Sequence, residues 1–268
     1  MLSQRQRREI ARLRERKGRE DSRRFVVEGD KIVRESLADG WPVVALYATR
    51  AWLDALTPES RAAIPSCTEI SSQELRSLSL QPTPQGVMAV LECRIHPLNW
   101  NEVLGDLTLG LAEVQDPGNF GTLLRSAAWF GVRHILASPG CVDATHPKVL
   151  QASMGAFLRV RVHTVDLETA LAEARRRGVQ SYATEPRGTS LFDLPLARNG
   201  LFLFGNESRG LPVELARCAS QSVGVPSWSH AGYGIDSLNV AAAAAVVCAE
   251  VRRRAAALRE NHGSQSVQ

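Results

Sequence analysis

No run of apolar residues in this chain approaches the ~20 needed to cross a bilayer. The N-terminal stretch, MLSQRQRREIARLRERKGRE, lacks the apolar core of a secretory signal. Glu9, Glu15, Glu20 and Asp21 break the acid-poor pattern of a transit peptide. These absences point to the cytoplasm and to no membrane partner. Cysteine is scarce and scattered, with five residues at 67, 93, 141, 218 and 248 and no CxxC pair. That argues against a disulfide framework and a zinc site, and leaves reduced thiols. The six histidines show no ligand spacing, so no metal is expected. No GxGxxG follows any apolar segment, which leaves an ordinary dinucleotide site unsupported. GNESRG (205–210) has two glycines separated by four residues, but Leu211 and Pro212 follow where a phosphate loop needs Lys and Ser or Thr.

Most of the chain also lacks a surplus of charge. Residues 1–24 hold ten Lys/Arg and four Asp/Glu, whereas the remaining 244 hold 22 and 24. The formal charge of +4 is therefore an N-terminal property. Such a block either contacts phosphate or forms a solvated helix with its own ion pairs, such as Glu15 to Arg19. A content of 44% hydrophobic and 22% charged residues is that of a globular protein, and 268 residues favour two domains.

The alternation of patterns gives those domains. Residues 5–17 suggest a short helix with Ile10 and Leu13 on one face. FVVEGDKIVRESLADGWPVVALYAT (25–49) reads strand, helix, strand, with Gly40 closing the helix. Another helix begins at Thr57, Pro58 and Glu59. Ser71 or Ser72 caps one more, with Glu74 in its first turn. Val87 to Leu91 make a strand. Residues 1–93 are thus a small α/β domain of unreadable strand order, and 94–106 are a linker with a possible helical turn. From Leu107 the chain alternates strands (107–114, 133–137, 159–164, 180–184, 200–204, 222–226) with helices (119–131, 145–153, 166–177, 212–217, 237–259). Short apolar strands alternating with helices imply a parallel sheet covered on both faces. That domain spans 107–260, and 261–268 read as a disordered tail.

Three strand ends carry polar residues and glycine, where open α/β sheets place ligands. After the first, PGNFGTLLRSAAWFGV (117–132) sets Asn119 and Arg125 in a strand-to-helix turn. Arg125 amid Leu123, Leu124, Ala127 and Ala128 is either a buried salt bridge or a functional cation. After the fifth come Gly205, Asn206, Glu207 and Gly210, where Gly205 permits close backbone approach and the rest is either a tight turn or a set of ligand groups. After the sixth come Val225 and Pro226, then Ser237, Leu238 and Asn239. Ser237 is a good N-cap for the helix that follows, which shows only Ala, Val and Cys for ten residues. Asn239 in its first turn is a poor helix former, and a buried amide there suits a ligand or a facing loop.

N-x-G-x-x-x-R, then G-N-E-x-x-G, then V-P…S-L-N-V, in this order and at this spacing, resemble the three motifs of the SpoU-type RNA ribose 2′-O-methyltransferases of the SPOUT superfamily. KVLQASMGAFLRVRV (148–162) is similar to the family segment between the first two motifs, with Ser153 and Gly155 in place and Gln151 where an Arg is frequent. FVVEGDKIVRESL and TPQGVMAV resemble the ribosomal-protein-like substrate domain of one branch. The match covers most of residues 20–258. The loop SWSHAGYGID (227–236), with His230, departs from it by its length.

The resemblance implies an α/β fold with a trefoil knot in the parallel-sheet C-terminal domain and a smaller N-terminal α/β RNA-binding domain. It implies S-adenosylmethionine as cofactor, held by Gly205, Asn206, Gly210, Val225, Pro226 and Leu238. Arg125, Asn119, Glu207, Ser237 and Asn239 would form the catalytic set. The implied substrate is RNA, ribosomal (23S) before transfer RNA, and the implied assembly is a homodimer. The rival reading is a non-catalytic RNA-binding or assembly factor of the same fold.

Overall fold

The structure, a computed structural model, describes residues 2–62, 64, 66–229 and 236–263, the last six by their backbone. His230 and residues 231–235 of the long loop, and the tail 264–268, lie outside the described residues. The chain groups into two compact units, Met1–Ile95 with Asp143–Leu158, and His96–Val142 with Arg159–Gln268.

The first unit runs α1 (Gln4–Arg12), α2 (Arg16–Ser22), β1 (Arg24–Glu28), α3 (Asp30–Ala38), β2 (Val43–Ala48), α4 (Arg50–Asp54), α5 (Pro58–Ala62), β3 (Cys67–Glu69), α6 (Ser72–Leu78) and β4 (Val87–Glu92). Its sheet has the order β1-β4-β2-β3, antiparallel except for the β2–β3 pair. Alternate residues of the strands feed two cores. Phe25, Val27, Leu46 and Leu91 pack with Val33 and Trp41 on one face. Tyr47, Met88 and Val90 pack with Leu2, Ile10, Leu13, Leu75 and Leu78 on the other. Ser71, not Ser72, caps α6, in a reciprocal capping box with Glu74.

The helix expected over 5–17 is two helices. Its apolar face was read correctly, since Ile10 and Leu13 are 2% and 5% exposed. The break follows from Gly18, where a Cβ would lie 2.0 Å from the carbonyl oxygen of Arg12, so only glycine permits the turn back. Arg19 satisfies the carbonyls opened by that break. Its side chain, 2% exposed, donates to Leu13 O at 3.0 Å and Arg14 O at 2.8 Å, and pairs with Asp143 at 2.7 Å rather than with Glu15. The basic block is therefore not a free arm: Arg5, Arg7, Arg12 and Arg16 pair with Glu9, Glu74, Asp21 and Glu20. Arg8, Lys17, Arg23 and Arg24 are exposed, with no charged partner among the described residues.

The second unit runs α7 (Trp100–Val103), β5 (Leu107–Leu111), α8 (Pro117–Trp129) and β6 (His134–Ala137). Then comes α9 (Pro147–Ser153), which belongs to the first unit, where Leu150 and Phe157 join the core around Phe25. The second unit resumes with β7 (Arg161–Thr164), α10 (Leu167–Arg176), β8 (Ser181–Ser190), β9 (Gly200–Phe204), α11 (Val213–Cys218), β10 (Gln221–Gly224) and α12 (Val240–Gly263). All six strands are parallel, in the order β10-β8-β9-β5-β6-β7. Every residue of β5 and β9 is buried, as the unbroken apolar runs LTLGL and GLFLF require of central parallel strands. Several expected bounds moved: β5 ends at Leu111 rather than 114, α8 runs Pro117–Trp129 rather than 119–131, and β10 ends at Gly224 rather than 226. β8 runs on to Ser190, past a register slip against β10, and α12 starts at Val240 because Asn239, not Ser237, is its cap.

The second unit also buries two adjacent imidazoles. His134 Nδ1 lies 3.1 Å from His163 Nε2, with the rings stacked. Burial, then the charge of His134 and its neighbours, pushes His163 down to about 4. The unfolded chain takes up that proton near pH 6.5. The folded chain does not until about pH 4. Stability from this pair is therefore complete above pH 6.5 and is lost as pH falls through that window. We expect the unfolding free energy to drop by about 2 kcal/mol between pH 6.5 and 4, and the drop to shrink in His163→Leu. Chemical denaturation at stepped pH checks this, and an unchanged slope in the variant would sink it.

Candidate functional site at the strand ends

The carboxyl ends of β9, β8 and β10 open onto a cavity of about 840 Å³. Its walls include Phe204 to Leu211, Thr184 to Pro186, Val223 to Ser229, and Asp236 to Val240, with Asn119 at one edge. All the expected polar and glycine positions except Arg125 line it: Asn119, Gly205, Asn206, Glu207, Gly210, Val225, Pro226, Ser237, Leu238 and Asn239.

The loop after β9 is built around backbone contact. A Cβ on Gly205 would lie 2.1 Å from Gly210 C and Leu211 N, so the loop returns across its own origin. Asn206 and Gly210 exchange both backbone hydrogen bonds, at 2.9 Å each. The Asn206 carboxamide is spent on this turn. Its Oδ1 accepts from Ser208 N (3.0 Å) and Arg209 N (3.1 Å), and its Nδ2 donates to Glu113 O at 2.8 Å. Arg209 adds a 2.6 Å ion pair to Glu113. Glu113 has a φ of 55°, a left-handed conformation costly for a non-glycine residue, and these two contacts hold it there. Glu113 was not expected from the sequence, because only the folded chain sets it beside residue 206.

Three loops meet through Asn119. Asp116 caps α8 by accepting from Asn119 N at 2.7 Å, and its own N–H donates to Glu207 Oε1 at 3.3 Å. Asn119 Nδ2 donates to the same Glu207 oxygen at 3.1 Å. Asn239 Nδ2 donates to Asn119 Oδ1 at 2.9 Å, while its Oδ1 accepts from Ala241 N (2.9 Å) and Ala242 N (3.3 Å). Asn239 is thus the helix cap and a link to the facing loop at once. It is exposed rather than buried, so its facing-loop role survives and its buried setting does not.

Arg125 also departs from expectation. It lies on α8, but on the exposed stripe Gly118, Thr122, Arg125, Trp129, whereas Leu123, Leu124 and Ala127 face inward. Among the described residues it makes no ion pair or hydrogen bond, so the salt-bridge reading falls. Ser237 and Leu238 are exposed on the cavity wall. Sequence reasoning missed the wall from β8. Its register slip leaves 184–188 out of the ladder, which puts Thr184, Glu185 and Pro186 at the cavity. Gly188 and Gly224 make this possible, since a Cβ on Gly188 would lie 2.4 Å from Val223 C. A Gly and a Pro inside one strand segment were the available signal. Among the described residues no group of three or more His, Cys, Asp or Glu side chains could hold a metal ion.

Comparison with known proteins agrees with this geometry. Residues 106–249 match the SpoU rRNA methylase family, and residues 5–89 match an MRM3-like substrate binding domain. An uncharacterised tRNA/rRNA methyltransferase of Synechocystis sp. is 30% identical, over 92% of this chain and 90% of its own length. The 23S rRNA (guanosine(2553)-2'-O)-methyltransferase RlmP of Bacillus subtilis is 26% identical, over 88% and 91%. A solved structure of a putative TrmH-family RNA methyltransferase from Porphyromonas gingivalis superposes with a TM-score of 0.83 at 38% identity, covering 95% of this chain and 99% of that one. The AdoMet-bound rRNA methyltransferase of Sinorhizobium meliloti does so at 0.81 and 28%, covering 95% and 96%. With more than half its length inside the family match, and with the three motif loops joined at one cavity, the chain belongs to the SpoU rRNA methylase family.

Proposed function

We propose that this RNA methyltransferase moves a methyl group from S-adenosylmethionine to a ribose 2′-hydroxyl of ribosomal RNA, in the cytoplasm. The observation that carries the reading is the hydrogen-bonded junction of Asn119, Glu207 and Asn239 at the cavity, with an unpartnered Arg125 on the helix that Asn119 opens. Ribosomal RNA is favoured because an MRM3-like domain precedes the catalytic one and because RlmP, similar along most of the chain, acts on 23S rRNA.

The cavity suits the cofactor. Backbone groups of Gly205, Val225 and Leu238, with Gly210 and Pro226 beside them, offer hydrogen bonds, and Phe204, Val223 and Val247 offer an apolar wall for a flat base. Asn206 shapes that wall through its turn. When bound, S-adenosylmethionine supplies an electrophilic methyl. The chain's own residues must orient the hydroxyl and help it lose its proton. Arg125 is assigned as a donor, since a guanidinium has five N–H groups and no acceptor. Its unpartnered fork suits the adjacent phosphate and the developing alkoxide. Glu207 Oε1 accepts from Asp116 N and Asn119, which leaves Oε2 to receive a substrate hydroxyl. Ser237 and Asn239 stand on the same wall.

The knot expected from the resemblance belongs to this reading. So does the homodimer. Trp129 is 83% exposed one turn beyond Arg125, and the exposed positions Ala242 and Ala249 of α12, which packs on α8, are small. A second copy of the chain would bury that indole. The division into domains at a 94–106 linker is part of this reading, supported by the gap at 90–105 between the two family matches.

Arg125→Ala is expected to keep S-adenosylhomocysteine affinity, measured by calorimetry, while tritium transfer to ribosomal RNA falls at least about 100-fold. Arg125→Lys rescues little, since a point charge does not replace a bidentate fork. Near-normal turnover in either variant contradicts the role. Gly205→Val is a poor probe of the cofactor, because its side chain would strike Gly210 and Leu211 before any ligand. Trp129→Glu should convert the dimer to monomer in sedimentation, and an unaltered sedimentation coefficient removes that interface. Deleting residues 1–19 would strip Leu2, Ile10 and Leu13 from a core, so charge must be tested in place. With Arg8, Lys17, Arg23 and Arg24 all changed to Gln, the slope of log RNA affinity against log salt should flatten by about 0.7–0.9 per lost phosphate contact. An unchanged slope defeats phosphate contact by this segment.

A further inference from the structure

The chain has five tryptophans, and four of them have a partner or an assigned one. Trp41 and Trp52 are 9% and 7% exposed, each beneath a guanidinium and each donating its indole N–H. Trp100 packs on the core beside α10. Trp129 lies on the helix face assigned above to a second copy. Trp228 is different: it is 93% exposed and, among the described residues, touches no ring, cation or hydrogen-bond partner. Leaving an indole in water forgoes one of the largest apolar burials a side chain can give.

Its setting is ordered rather than incidental. Ser229 N donates to Ser227 Oγ at 3.2 Å, and the two hydroxyls lie 2.8 Å apart. This closes a tight turn with Trp228 at its apex. The turn stands directly after Val225 and Pro226, and Trp228 with both serines lines the catalytic cavity. On the cavity wall the turn stands with Pro226, Ser237 and the half-exposed Leu238, and the indole offers a flat face to whatever enters there. An isolated, presented aromatic face beside a nucleotide-processing cavity is the platform on which single-stranded bases stack.

We propose that Trp228 is a specificity residue that stacks on an unpaired base of the RNA next to the target ribose. The inference rests on the assignment of this cavity to RNA methylation. It commits the occupant to an RNA base rather than to the cofactor's adenine or a partner subunit. The full chain is used throughout the test. The probes are a fluorescent single-stranded oligoadenylate 12-mer, the same 12-mer with abasic sites, and S-adenosylhomocysteine.

Trp228→Ala should bind oligoadenylate roughly 5- to 100-fold more weakly, while Trp228→Phe keeps most of the affinity. The abasic 12-mer should bind wild type and Trp228→Ala equally, because it has no base to lose. Affinity for S-adenosylhomocysteine, the melting temperature and the sedimentation coefficient should not change. Equal oligoadenylate affinity in wild type and Trp228→Ala overturns the proposal. A loss confined to S-adenosylhomocysteine overturns it in favour of the cofactor's adenine, and dissociation of the dimer overturns it in favour of a partner copy. Tritium transfer from S-adenosylmethionine to ribosomal RNA by the wild-type chain tests the methylation reading separately, so a failure here is distinguishable from a failure there.

Discussion

The Asn119 carboxamide joins three stretches of chain that are otherwise far apart in sequence. Its nitrogen is on Glu207 and its oxygen is under Asn239, at separations of 88 and 120 residues. An amide can do this because it donates and accepts along one planar group. Neither a carboxylate nor a hydroxyl of similar size presents both in that geometry. The two ends of the relay are fixed by other means. Asn239 is held by the first N–H groups of α12, and Glu207 by the N–H of Asp116, itself the cap of α8. Two helix starts and one strand end are thereby locked around a single cavity, and the groups proposed to meet the substrate inherit that geometry.

Backbone proximity sets the second constraint. At Gly205, Gly188 and Gly224 the main chain passes so close to another main-chain segment that no side chain would fit. These crossings give the cavity walls made of backbone, which present fixed dipoles and have no side-chain entropy to lose. They also make the site intolerant of substitution at positions that need never touch a ligand. Glu113 shows the same economy. Its strained φ is held by the Asn206 amide and the Arg209 guanidinium, so the loop after β9 fastens the loop before α8.

The N-terminal charge has two jobs. Six of the ten basic side chains hold the local fold, through pairs with Glu9, Glu74, Asp21 and Glu20, through Arg19 at the helix break and through Arg14 on the carbonyls of Ser77 and Leu78. Arg8, Lys17, Arg23 and Arg24 carry the uncommitted charge. A basic stretch and an apolar stripe coexist in the same residues because a helix separates its faces. The unit they belong to also draws α9 from between two strands of the other unit, which no reading of contiguous domains would show.

By itself the sequence determined the elements and the motif loops. Apolar runs of parallel-strand length, helical spacing in 1–13 and glycine at strand ends are local properties, and they placed all six strands of the second sheet and ten of the eleven expected site residues at the cavity. Tertiary structure decided what those side chains are for. Ser237 looks the better cap from composition, but Asn239 takes the position because its amide also reaches Asn119. Arg125 sits among leucines in sequence and in solvent in space, because helical periodicity turns it away from them. The strand order, the β8 wall and the partners of Arg19 depend on contacts between residues dozens of positions apart, and such contacts leave no periodicity in the chain to read.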